Sequence, residues 1–99
     1  MYAILRQYPC DASKRGHRDE ALAAVQSLHA RQPGYAGSLV IDDGQRLIAV
    51  NLWDTEHAAA DGRTAIGPQV QHLLEPLMAG PSQLIAAGEV LASDRKERS

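Results

Sequence analysis

The stretch "LIAVNLWDTEHAAA", residues 47–60, decides the fold. Its first half alternates with period two, and both resulting faces are apolar: Ile48, Val50 and Leu52 on one, Leu47, Ala49 and Trp53 on the other. Its second half is rich in alanine and begins behind Asp54 and Thr55, either of which can cap a helix. A strand that runs directly into a helix is the reading, with the chain's single tryptophan at the changeover. Helices can cover only one face of such a sheet. The second apolar face needs a cover that a chain of 99 residues has no spare element to supply. Another copy of the chain would supply it, so burial alone predicts a homodimer.

Upstream, "AGSLVI" (36–41) and "QRLIAVNLW" (45–53) are β-rich runs separated by "DDG". Asp43-Gly44 is a favoured turn pair, so the two form an antiparallel hairpin. Before them, "RDEALAAVQSLHAR" (18–31) puts Ala21, Leu22, Val25 and Leu28 in one helical arc and places Asp19 and Glu20 in the first turn, where the dipole favours acids. Pro33 disfavours helical backbone at Gln32 and ends that helix. Tyr2 to Tyr8 is a strand stopped by Pro9. Downstream, the helix that follows Thr55 is expected to run to about Asp61 and to be interrupted at Gly62. A second helical piece then begins near Pro68, carries Val70, Leu73, Leu74 and Leu77 on one side, and is kinked by Pro76. "QLIAAGEVLA" (83–92) is the final strand. The order βαββαβ is the ferredoxin-like α+β arrangement, a four-stranded antiparallel sheet with two helices on one face. One domain is expected over residues 1–92, followed by a flexible charged C-terminal tail, 93–99.

Composition narrows the function. A net charge of -2 leaves no basic surface to collect phosphates, so no nucleic acid partner is expected. The single cysteine, Cys10, excludes an internal disulfide framework and suits a reducing compartment. The N-terminus lacks the pattern of a secretory signal, and no apolar run approaches the roughly 20 residues needed to span a bilayer. A cytoplasmic chain with no membrane partner is expected. No two histidines show metal-ligand spacing with a third ligand nearby, and no metal is assigned. A glycine-rich phosphate loop and G-x-S-x-G are missing, and no paired carboxylates fall in a plausible cleft. An enzyme with this sequence would need neither a nucleotide nor a covalent nucleophile.

The helix running into Pro33-Gly34-Tyr35, the hairpin, and the Trp53-Asp54-Thr55-x-x-Ala58 junction together resemble the antibiotic biosynthesis monooxygenase (ABM) family of the dimeric α+β barrel superfamily. The likeness covers about Tyr2 to Leu91. It implies a homodimer built as a dimeric α+β barrel, and a cofactor-independent monooxygenase that acts on an aromatic or polyketide-like ligand. A non-catalytic dimeric small-molecule-binding or accessory protein of the same fold is the alternative, and a lyase or cyclase a third reading. In the family the junction tryptophan lines a pocket between sheet and helices, and an asparagine and a tryptophan hold the substrate. Carried to this chain, the tryptophan is Trp53, and strand alternation puts Asn51 and Ala49 on the same pocket-facing side. The family's asparagine comes in some members from the first strand instead. Haem-degrading members carry an asparagine in the first strand, where this chain has Arg6 and Gln7, so the resemblance points away from haem.

Asn51 and Trp53 are therefore the catalytic candidates, with Ala49, His29 and Arg6 as substrate-binding candidates and no cofactor. Each also has a plain structural role. Trp53 can be a core plug, and its indole N–H needs a partner in either case. An Asn among aliphatic residues must satisfy its amide or lose about 1–3 kcal/mol per unpaired group, so Asn51 serves neighbouring backbone, a dimer partner or a ligand. His29 lies in the buried arc of the first helix, as a half-buried core residue or facing the pocket. Arg6 projects from the sheet toward pocket or interface, or guards the sheet edge. Ala49 and the alanines at 58–60 are expected to leave room beside the large ring. His57 and Asp61 are spaced for a surface pair. His72 points to solvent, and Cys10 lacks a partner that would make it a nucleophile.

Overall fold

Strand β1 (Tyr2–Pro9) leads through a short 3-10 helix (Ala12–His17) into α1 (Arg18–Ala30), and the hairpin β2 (Tyr35–Asp42) and β3 (Arg46–Trp53) follows. Helix α2 (Glu56–Leu74), a 3-10 turn (Glu75–Leu77) and β4 (Gln83–Glu89) complete the chain. The structure, a computed structural model, describes residues 1–94 apart from the side chains of residues 12, 14 and 15. The charged tail expected at 93–99 lies outside the described residues from 95 onward. The sheet is four-stranded in the order β2-β3-β1-β4, and every pairing is antiparallel. This is the ferredoxin-like α+β fold read from the sequence.

The helices lie over the face that carries Leu47, Ala49 and Trp53, which are 2%, 8% and 3% exposed. Ala59, Ile66 and Leu74 of α2, with Leu77, complete that core. The opposite face carries Ile48, Val50 and Leu52, all only half-buried. Their β2 partners Leu39 and Ile41 are 62% and 52% exposed. Two-faced apolar patterning in β3 thus corresponds to one covered and one open apolar face. Toward one end the open face turns polar: Gln7 donates to Gln83 at 2.6 Å, and Arg46 reaches both Gln7 and Asp43.

The second helix departs from expectation. No break occurs at Gly62 and no new helix starts at Pro68, because α2 is continuous from Glu56 to Leu74 with Pro68 inside it. Pro68 cannot donate its intrahelical hydrogen bond, and its ring normally forces the preceding residue out of helical backbone by clashing with that residue's Cβ. The preceding residue is Gly67, which has none. Pro76 sits in the 3-10 turn that closes the helix. Strand β4 is shorter than expected and ends at Glu89, although Val90 N–H still reaches the Met1 carbonyl at 2.8 Å. Extra residues stand opposite the partner strand in both β2, at Ala36, and β4, at Ile85.

Among the described residues no helix is long and apolar enough to cross a membrane. Thr55 caps α2, its hydroxyl accepting the Ala58 N–H at 3.0 Å. Thr55→Ala is therefore expected to cost about 1 kcal/mol in urea unfolding, and Thr55→Ser much less.

Candidate functional site

In an antiparallel sheet, directly paired residues point to the same side, so the register lays out the helix-facing surface row by row. Trp53 stands between Tyr35 of β2 and Tyr2 of β1, and Asn51 between Ser38 and Ile4. Ala49 stands between Val40 and Arg6, and Leu47 between Asp42 and Tyr8. Four of the five residues singled out from the sequence, Arg6, Ala49, Asn51 and Trp53, therefore share one surface. The fifth, His29, reaches it from α1: its ring centroid is 6.1 Å from that of Trp53 and 5.7 Å from that of Tyr35.

Trp53 closes one end of this layer. Its ring meets Tyr35 edge-on at 5.5 Å and presses against the backbone of α2 at Gly62. A Cβ at residue 62 would stand 2.3 Å from Cη2 and 2.8 Å from Cζ3 of the ring, closer than any real contact. The room for the ring is thus made by Gly62, whereas Ala49 and Ala59 are themselves buried. Around the junction, Asp54 N–H donates to the Gly34 carbonyl at 2.7 Å and ties the turn before β2 to the start of α2.

Asn51 is half-buried, and among the described residues its side-chain amide has no hydrogen-bond partner. The indole N–H of Trp53 is likewise unpartnered among them. Trp53 is buried, and its N–H lacks the partner that burial ordinarily demands, whereas Asn51 is only half-buried. Arg6 projects to the helix side and donates to Ser82 Oγ at 3.3 Å, leaving most of its donors unused. Two residues along, Tyr8 shares its face; burial pushes its phenol above the usual range, against the opposing charge of Arg6. His29 Nδ1 lies 2.9 Å from the Val25 carbonyl. A carbonyl only accepts, so Nδ1 is the donor in this contact and Nε2 is left for another partner.

Three residues of this surface escaped the sequence reading. Tyr8 follows Arg6 at the strand period, which was signal enough. Tyr35 and Ser38 share a face although three residues apart, because Ala36 is an extra residue and Gly37 takes φ 131. Gly37 inside a strand was the available clue. Elsewhere the expected surface pair forms, His57 Nε2 lying 3.2 Å from Asp61, and His72 is exposed. Among the described residues no group of three His, Cys, Asp or Glu side chains is placed to hold a metal ion.

No family model matches this sequence, and no curated protein is similar to it. Solved structures do match over nearly the whole chain. A candidate antibiotic biosynthesis monooxygenase from Nitrosomonas europaea superposes with a TM-score of 0.77 at 20% identity, covering 93% of this chain and 100% of that one. SnoaB, a cofactor-independent oxygenase from Streptomyces nogalater, gives 0.71 at 14% identity, covering 93% and 97%. A protein of unknown function, also from Nitrosomonas europaea, gives 0.78 at 13%, covering 98% and 95%. At these identities the likeness shows the fold alone, and it is the fold of structures named as antibiotic biosynthesis monooxygenases.

The Trp53–Gly62 contact can be tested by its sign. Alanine is the better helix former by about 0.8–1 kcal/mol, yet Gly62→Ala is expected to destabilise by roughly 1–3 kcal/mol because the methyl overlaps the ring. Trp53→Phe is expected to cost at most about 1–3 kcal/mol and to relieve the overlap, so the double variant should be clearly more stable than the two losses added. Urea unfolding of the four proteins measures this; simple additivity would mean that ring and helix do not touch.

Proposed function

We propose that this chain is a cofactor-independent monooxygenase that works as a homodimer on an aromatic or polyketide-like substrate. The observation that carries the reading is the unpartnered amide of Asn51, half-buried on the helix-facing surface beside Trp53. In this reading Trp53 and Tyr35 form the aromatic end wall, and Ala49 the floor between Asn51 and Arg6. The substrate reacts as its anion, a phenolate or enolate. Asn51 donates to its oxygen and the Arg6 charge favours the ionised form, the electrostatic help that matters most in a site shielded from water. His29, with Nε2 open, accepts from a substrate hydroxyl.

The reaction balances without a cofactor. A CH₂ group activated by its neighbours becomes C=O, one oxygen atom of O₂ staying on carbon and the other leaving as water. All four electrons that reduce O₂ come from the substrate, so the protein supplies orientation and charge stabilisation only. With 1,8-dihydroxyanthrone in chelator-treated buffer, the expected result is one O₂ consumed per anthraquinone formed. Asn51→Ala should lower turnover about 100-fold while its folding stability stays close to that of the parent. Tight binding of the anthrone with no O₂ uptake above the buffer rate would replace this reading with the non-catalytic binding one.

The homodimer rests on the open apolar face of the sheet. Covering a side chain such as Leu39 or Ile41 is worth roughly 1.5–3 kcal/mol, and a stable interface buries about 1,200–2,000 Å² in total. Sedimentation at micromolar concentration should give twice the chain mass, and Leu39→Asp, which puts a charge on that face, should give the monomer. A parent chain that sediments as a monomer would remove the dimer from the proposal.

A further inference from the structure

Ser38 stands directly across from Asn51, and in such pairs the Cβ atoms lie about 4.5–5.5 Å apart. It is there only because β2 is bulged. Strict alternation from Tyr35, the partner of Trp53, would put Gly37 and Leu39 on the helix side and turn Ser38 to the other face. The extra residue Ala36 and the positive φ of Gly37 shift the strand by one, so that Tyr35 and Ser38 face Trp53 and Asn51 together. The Tyr35 hydroxyl donates to Ser38 Oγ at 2.7 Å and closes the fourth side of a square whose corners are Trp53, Asn51, Ser38 and Tyr35.

From this arrangement we infer that Ser38, held by Tyr35, is a positioning residue that orients the Asn51 amide toward the ligand. Two hydroxyls share this one hydrogen bond, which leaves one hydroxyl proton over. With Tyr35 as the donor, that proton is the one on Ser38, available to a second acceptor. Asn51 Oδ1 lies across the strand pair, within reach by rotation of the side chain. When Ser38 donates to Oδ1, the amide can turn only one way, with its NH₂ presented to an acceptor in the layer between sheet and helices. Asn51 then donates to the anionic oxygen of a bound aromatic molecule and does not compete for it with its own carbonyl. The inference rests on the proposed ligand role of Asn51 but not on oxygen chemistry.

The test is a binding cycle with 1,8-dihydroxyanthraquinone, a probe that does not react with O₂, followed by quenching of the chain's one tryptophan, Trp53. Ser38→Ala is expected to weaken binding about 10-fold, as is Tyr35→Phe, which keeps the ring against Trp53 and removes only the hydroxyl. The two together should cost no more than one, and Ser38→Thr, which keeps the hydroxyl, should stay close to the parent. In an Asn51→Ala background neither change should weaken binding further. Equal losses with and without Asn51, or no loss on Ser38→Ala, would overturn the positioning role. A parent protein that does not bind the probe would overturn it together with the ligand role of Asn51. Binding that follows the expected cycle in a protein that never consumes O₂ would support it and end the oxygenase reading alone.

Discussion

The contact between the Trp53 ring and the bare backbone of Gly62 sets the spacing of everything around it. A tryptophan at the end of a strand is too large to fit under a helix that presents ordinary side chains. Here α2 presents none at the point of contact, and the ring lies directly against it. The helix can then settle on the sheet closely enough to bury Ala59, Ile66 and Leu74. The same ring is the meeting place of three elements, since His29 of α1 and Tyr35 of β2 both pack at its edge. Interiors are packed as tightly as organic crystals, so a change at this point is felt across the layer.

The buried core is wholly apolar, and polar residues of the helix-facing surface are half-buried at its margin. Asn51, Arg6, Tyr8, Ser38 and the indole N–H of Trp53 all face the layer, and their hydrogen bonds are few. In the proposed reading these groups receive a ligand that is flat and apolar over most of its area, with an acidic oxygen at one edge.

The architecture was legible because β3 states it twice. Apolar residues at both parities demand a sheet with two covers, and the Asp54-Thr55 cap marks where the strand becomes a helix. The continuity of α2 was hidden because Gly62 and the Gly67-Pro68 pair are helix breakers by local preference. A tertiary contact explains the first, and the missing Cβ of Gly67 removes one of the steric objections to the second, though the lost hydrogen bond of Pro68 remains. In the site, Ala49, Asn51 and Trp53 followed from alternation along β3, whereas the side to which Arg6 and Tyr8 of β1 point was settled only by the register. Ser38 did not follow from alternation either, since a bulge inverts the parity of everything behind it, and a bulge is visible in sequence only as an ill-placed glycine.

The two bulges have a further effect, because both lie in the edge strands, β2 and β4. An edge strand offers an unpaired row of N–H and C=O groups, and a long flat one is a template on which other chains can stack without limit. An extra residue breaks the regular spacing of that row and increases its local twist. A chain that leaves one apolar face open is especially in need of such a defence. Apolar across its open face and irregular along both borders, this sheet presents its face and not its edges to a neighbour. The proposed homodimer therefore closes on itself and does not propagate.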